Sequence, residues 1–329
     1  MKLNLLSDLY ERNKLPKHEY EEAAGFLVAF SSFLKERYQV EDIDEASHQD
    51  LAFFIDHLVE TNQNTISNFV ILLRYYRIIG NNELLVHLYR YLGGLDVLEN
   101  IIDRLTRLHG KATADKLLSG WSYPPLGTRP EAMPAYTDEL MNRLNAAFNE
   151  GEVKAILAGN NHGVSEKAIL PDKINYEAVD SLEVFLKEDN ERKIKVLEEH
   201  WRENKLWFEQ VITEEVIDFV KSDQEIMSGV LRGEYLYLTK IPYDPDGYLQ
   251  ETDPLEKRYL ACHCPFAREA VKNKQPISPL WCYCSAGFTK YPYEVILGQK
   301  LDIEILESVL NGEDRCRFRI PLAGIDYKK

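Results

Sequence analysis

Apolar residues recur at helical spacing through the first 110 residues of the chain, the signature of helices that each bury one face. Leu51, Phe54, Ile55, Leu58 and Val59 form one such stripe. Ser47 and Asp50 ahead of it make a capping-box-like start, in which a hydroxyl and a carboxylate satisfy free backbone N–H groups. The polar stretch 61–64 interrupts the pattern; Ile66, Phe69, Val70 and Leu73 resume it, and Gly80 supplies a stop. A further stripe, Leu95, Leu98, Ile101, Ile102, Leu105 and Leu108, ends at His109-Gly110. The spacing predicts a helical bundle over 1–120. Residues 121–135 are dense in Pro and Gly and predict a connection.

Helical spacing returns near 138–149 and 179–186. A long charged helix is expected near 192–210, and another opens at Thr213, whose hydroxyl can cap the turn made by Glu214 and Glu215. Residues 136–225 are thus expected to form a helical segment packed on the C-terminal domain. Trp201, Trp207 and Phe208 are expected to bury their helix against a sheet. The period then changes. Residues 234–241 are rich in Tyr, Leu and Thr and read as a strand that Pro242 ends. Residues 258–264 and 279–284 also read as strands, and 301–310 and 315–322 alternate apolar with polar positions. Residues 266–272 and 286–297 look helical. The fold class this predicts is α+β: an all-helical N-terminal bundle, then a cysteine-rich domain over 226–329 in which an antiparallel sheet carries helices.

The chain has 329 residues, enough to build its core without staples, and a formal charge of −15. Residues 1–110 hold 11 Lys and Arg against 17 Asp and Glu, hence −6. Nucleic-acid binding draws on clustered basic residues, so this balance argues against it. No apolar run is long enough to span a bilayer, and the opening MKLNLLSDLYERNK lacks the apolar core of a signal peptide. The expectation is a cytoplasmic protein with a small-molecule ligand and no membrane partner. A homo-oligomer is compatible with the sequence.

All five cysteines, Cys262, Cys264, Cys282, Cys284 and Cys316, fall in the last 70 residues. An odd number without an export signal disfavours a disulfide framework. If 258–264 and 279–284 are strands, each Cys-x-Cys pair presents both sulfurs on one face, and His263 turns to the other. Three readings stand side by side: small apolar residues in a buried sheet, a shared metal site, or a reactive thiolate or redox pair. In the metal reading Cys262, Cys264, Cys282 and Cys284 are the ligands and zinc or iron the candidate ion. In the thiolate reading Cys264, Cys284 and Cys316 carry the chemistry, Cys264 at the start of a helix where free amides favour an anion. Arg258, Arg268, Lys290, Arg315 and Arg317 flank the cluster and could lower a thiol's pKa; Arg268, Arg258 and Lys290 are the candidates for holding a ligand carboxylate. Glu307, Glu251, Asp253 and His263 are candidate bases by proximity in sequence alone. No GxSxG, HExxH or phosphate-cradling glycine loop occurs.

Cys264-Pro265 opening a helix, a second cysteine at Cys284, and Gly312-x-x-x-Cys316-x-Phe318 resemble the L-2-amino-thiazoline-4-carboxylic acid hydrolase-like family and the related 4-vinyl-reductase-type ligand-binding domain. The strings CHCPFARE, CYCSAGF and ESVLNGEDRCRF look like an uncharacterised bacterial branch near that family. The resemblance spans about 100 residues and implies a C-terminal pocket for a small organic molecule with Cys264, Cys284 and Cys316 at its wall. The sequence departs from the hydrolase in doubling both cysteines to Cys-x-Cys and in Ser285-Ala286-Gly287. FLKERYQVEDIDEASHQDL and TISNFVILLRYYRIIG resemble, at the level of pattern, the SAM-like core-binding domain of tyrosine recombinases. The recombinase's catalytic arginines, histidine and tyrosine have no counterpart here. A thiolate- or metal-assisted hydrolase acting on a C–N or C–S bond is the leading functional expectation. The alternatives are a ligand, metal or redox sensor without turnover, and a helical interaction protein.

Overall fold

The computed structural model describes residues 1–273, 275 and 277–329. The chain is α+β and divides into two compact units, Met1–Leu95 with Pro124–Met133, and Asp96–Tyr123 with Pro134–Lys329. The division thus falls at different positions from a single connection over 121–135.

The N-terminal unit consists mainly of α1 (Leu3–Arg12), α2 (Lys17–Tyr38), α3 (His48–Glu60), α4 (Ile66–Ile79) and α5 (Asn82–Tyr89). The capping box forms as expected: the Ser47 hydroxyl accepts the Asp50 N–H at 3.2 Å, and the Asp50 carboxylate accepts the Ser47 N–H at 2.8 Å. Gly80 ends α4 in the left-handed region at φ 74°, where a side chain would be strained. The core is aromatic. Phe30 stacks on Phe54 at 4.1 Å between ring centres, and Tyr75 and Tyr76 are fully buried. Residues 124–133 are held in this unit by Arg129, whose guanidinium grips the Asp56 carboxylate, with a closest approach of 2.5 Å.

The C-terminal unit begins with α6 (Val97–His109) and α7 (Lys111–Leu118) and continues with α8 (Met133–Ala147), α9 (Glu150–Leu157), α10 (Glu166–Glu177), α11 (Leu182–Arg202) and α12 (Glu214–Ser222). Thr213 caps α12 by accepting the Val216 N–H. Next come β1 (Val230–Arg232), β2 (Tyr235–Thr239), α13 (Pro245–Gln250), α14 (Pro254–Ala261), α15 (Arg268–Asn273), α16 (Tyr283–Leu297), β3 (Glu304–Glu307) and β4 (Arg317–Pro321). The strands form one antiparallel sheet in the order β1-β2-β4-β3. Leu236 pairs with Ile320 and Leu238 with Phe318, and these alternate residues bury one face against Phe185, Tyr293, Ile296 and Leu301. The other face carries cross-strand ion pairs, among them Arg319 with Glu304 at 2.6 Å.

Two expected strands are not strands. Residues 258–264 fall mostly in α14, and 279–284 form a 3₁₀ turn, Pro279–Cys282, that runs into α16. The reason lies in the residues ahead of them. Asp253 caps α14 by accepting the N–H groups of Leu255 and Glu256 at 2.9 Å, with Pro254 at the first helical position. Pro279 likewise takes the first position of the second turn, where Ser278 precedes it without a side-chain cap. The long charged helix is α11, which stops at Arg202, so 203–210 lies outside it. Trp201 and Phe208 do not bury a helix against the sheet: they are 42% and 78% exposed, and Phe208 sits on left-handed backbone. Trp207 packs against the cluster of Leu197, Ile212, Val216 and Ile217.

Candidate functional site

The cysteines arrive at one place by turns and helix ends. Cys262 leaves α14 in extended backbone. Two residues on, the Cys264 carbonyl accepts the Ala267 and Arg268 N–H groups and so opens the turn into α15. Its sulfur accepts the indole N–H of Trp281 at 3.2 Å. Cys282 ends the 3₁₀ turn, with Ser308 working against the burial that raises its pKa, and Cys284 lies in the first turn of α16. Cys316 precedes β4. Its carbonyl accepts the Lys240 N–H at 3.0 Å, which carries pairing one residue beyond β2.

One glycine sets the far wall. A side-chain carbon at Gly287 would overlap the carbonyl oxygen of Gly159, so α16 lies directly against the backbone just after α9. That contact brings Asn161 and His162 to Cys284. The Asn161 amide nitrogen is 4.0 Å from the sulfur and His162 Nε2 3.7 Å. The His162 ring meets the Phe288 ring edge-on at 4.9 Å, and the Lys240 amine lies 4.9 Å from the centre of the same ring.

Burial is the largest cause of the shift at each thiol and pushes all five up, Cys284 to about 12. The sulfurs also feel one another: a negative charge at Cys282 is opposed by Cys316, Cys262 and Cys264, and one at Cys284 by Cys264. Cys264 differs in accepting the Trp281 indole N–H at 3.2 Å, while the Lys240 charge works against burial at Cys264, Cys284 and Cys316 alike. Burial lowers Lys240, and the surrounding thiols counter it in part. His162 falls to about 4 through burial and then the Lys240 charge, although part of its ring is open to solvent. Cys264, Cys282, Cys316 and Lys240 are half-buried and keep some accessible surface.

The flanking residues have other occupations. Arg268 is stacked between Tyr243 and Tyr259, 4.1 and 4.2 Å from their ring centres, and donates to the Tyr259 carbonyl. Arg258 donates to the Gly312 carbonyl. Lys290 pairs with Glu294 at 2.9 Å and donates to the Leu301 carbonyl. Glu307 pairs with Arg315 and Arg317, Glu251 accepts local N–H groups, and Asp253 caps α14. His263 donates from Nε2 to the Ile241 carbonyl at 2.6 Å and is held down to about 3 by burial, so it too is engaged. Thiols are a soft donor set suited to zinc or iron. Among the described residues, however, no three His, Cys, Asp or Glu side chains are arranged to hold a metal ion, Cys262, Cys264, Cys282 and Cys284 included.

Lys240, His162, Asn161, Trp281 and Ser308 were not singled out by sequence reasoning. Only Trp281, adjacent to Cys282, lies close enough in sequence to have been suspected.

Residues 240–325 match the model of a family described as "Family of unknown function (DUF6144)". The match covers every one of these elements except the Asn161–His162 loop. No curated protein and no solved structure matches the chain. Among the described residues, no helix is long and apolar enough to cross a membrane.

Proposed function

We propose that the C-terminal unit binds a small organic molecule in the sulfur-lined hollow and that Cys264 attacks it as a thiolate, hydrolysing a C–N or C–S bond. The carrying observation is the indole N–H of Trp281 donating to the Cys264 sulfur at 3.2 Å, with the nearby Lys240 charge acting in the same sense. Such donors favour the anion, which is the nucleophilic form. In the first step the sulfur bonds to the electrophilic carbon and the amine or thiol leaves with a proton; water then releases the acyl-type intermediate and restores the thiol. The resemblance to the thiazoline hydrolase-like family supports the same bond types. Five free cysteines suit the reducing cytoplasm. A redox-sensing role has one observation in its favour, the packing of Cys262, Cys264 and Cys316 in one apolar cluster.

The test is site-resolved alkylation of the native protein by limiting iodoacetamide at neutral pH. Cys264 is expected to be labelled first. Trp281→Phe, which removes one hydrogen bond worth about 1 kcal/mol to the anion, should slow that labelling about three- to tenfold. Labelling of all five thiols together, and only on unfolding, would overturn the reading.

A further inference from the structure

Lys240 is half-buried at the site, and the proposed chemistry uses only its charge. Its backbone is fixed by the hydrogen bond to Cys316 at the end of β2. Its amine lies over Phe288, and the groups whose charges it feels or shifts are Cys262, Cys264, Cys284, Cys316, His162 and His263. Among the described residues the amine has no hydrogen-bond acceptor and no carboxylate partner. Other lysines of this unit are committed: Lys193 to Asp189, Lys221 to Glu198 and Lys290 to Glu294. An enclosed ammonium without an anion is costly, whereas a neutral amine in the same place is a good nucleophile.

We propose that Lys240 captures an aldehyde or ketone ligand as an imine, which makes the sulfur-lined hollow a carbonyl-binding site. The amine nitrogen bonds to the carbonyl carbon while one of its protons passes to the oxygen, giving a carbinolamine. That hydroxyl then leaves with the second amine proton as water, and the C=N bond forms without oxidation or reduction. The Phe288 ring and the thiols supply an apolar wall for the ligand's carbon skeleton. The inference rests on the hollow invoked for the proposed function and not on Cys264 being the nucleophile.

Burial lowers Lys240, so its free-amine fraction at neutral pH exceeds that of surface lysines, by about tenfold for each unit of lowering. The experiment treats the full-length protein with propanal and sodium cyanoborohydride, which reduces any imine to a stable secondary amine, and maps the adducts by peptide mass spectrometry. Lys240 is expected to be alkylated at pH 7 at least about tenfold faster than the surface lysines. Between pH 7 and 9 its rate should rise less steeply than theirs. Lys240→Met should remove the fast adduct, Lys290→Met should leave it, and Cys264→Ser should leave it while abolishing the fast alkylation of Cys264. Alkylation of Lys240 in the unsubstituted protein at the surface rate, or with the surface pH profile, would overturn the proposal even if Lys240→Met fails to fold. So would saturable protection of Lys240 from propanal by propionate, which would make the residue a counter-ion.

Discussion

In the N-terminal unit the buried Tyr75 hydroxyl donates to Asp44 and accepts the Lys2 N–H, and Arg129 grips Asp56 with both arms of its fork. In the C-terminal unit the half-buried Lys240 amine faces an aromatic ring with no acceptor among the described residues. The first arrangement uses polar groups to close structure. The second leaves the amine unpartnered, where turns, helix ends and a sheet edge converge. Lack of a partner is not confined to one unit, since the buried Tyr76 hydroxyl also has none; what sets Lys240 apart is that its polar atom keeps company with thiols and an imidazole.

The largest effect that would test this contrast belongs to the N-terminal core. Phe54→Ala removes a buried ring stacked on Phe30 and should cost about 3–5 kcal/mol in denaturant unfolding. The rate of Cys264 alkylation in the folded fraction should not change. A parallel loss of thiol reactivity would break the division of labour between the units.

Gly287→Ala should also destabilise, but here with a change in thiol reactivity. Alanine improves helix propensity by about 1 kcal/mol, yet its methyl group meets the backbone of Gly159 rather than a flexible side chain. A net destabilisation of about 1–3 kcal/mol is expected, with Cys284 becoming more accessible to alkylation as the wall parts. A neutral or stabilising outcome, read by thermal unfolding, would mean that the helices separate freely.

Alkali sharpens the comparison further. All five thiols titrate higher in the folded chain than in the unfolded one, where the ordinary value is 9.0. Above pH 9 the unfolded chain loses protons that the native chain keeps, so stability falls as pH rises. Lys240 is shifted the other way and offsets one such proton. The decline should approach about 1.4 kcal/mol per pH unit for each proton not offset. Between pH 9 and 10 it belongs to the C-terminal unit, because the buried Tyr75 and Tyr76 of the other unit have an ordinary value of 10.0 and join only above it. Denaturant unfolding at pH 8, 9 and 10, with Cys282→Ser flattening the slope, checks this.

Much of the helical architecture is legible in the sequence because its signals are local. The Ser47 and Asp50 box, the Thr213 cap and the Gly80 stop each occupy a few adjacent residues, and β2 and β4 declare themselves by alternation. The clustering of cysteines also marks the right region. The local structure around them is harder to read. Residues 258–264 and 279–284 read as strands, but Asp253-Pro254 and Ser278-Pro279 ahead of them start turns instead. The surroundings of the sulfurs are hidden for another reason. His162 stands 122 positions from Cys284 in sequence, and their meeting depends on a glycine contact that no periodicity encodes.

In the proposed ligand-binding reading, the contact of α16 with the backbone just after α9 would also decide how the site adapts to guests of different size. A seam without room for a methyl group cannot widen, so any additional volume has to come from the solvent-open side of the His162 loop. Ligand length should consequently be tuned by residues 160–163, while ligand reactivity stays tied to the rigid side where the sulfurs and the amine are seated.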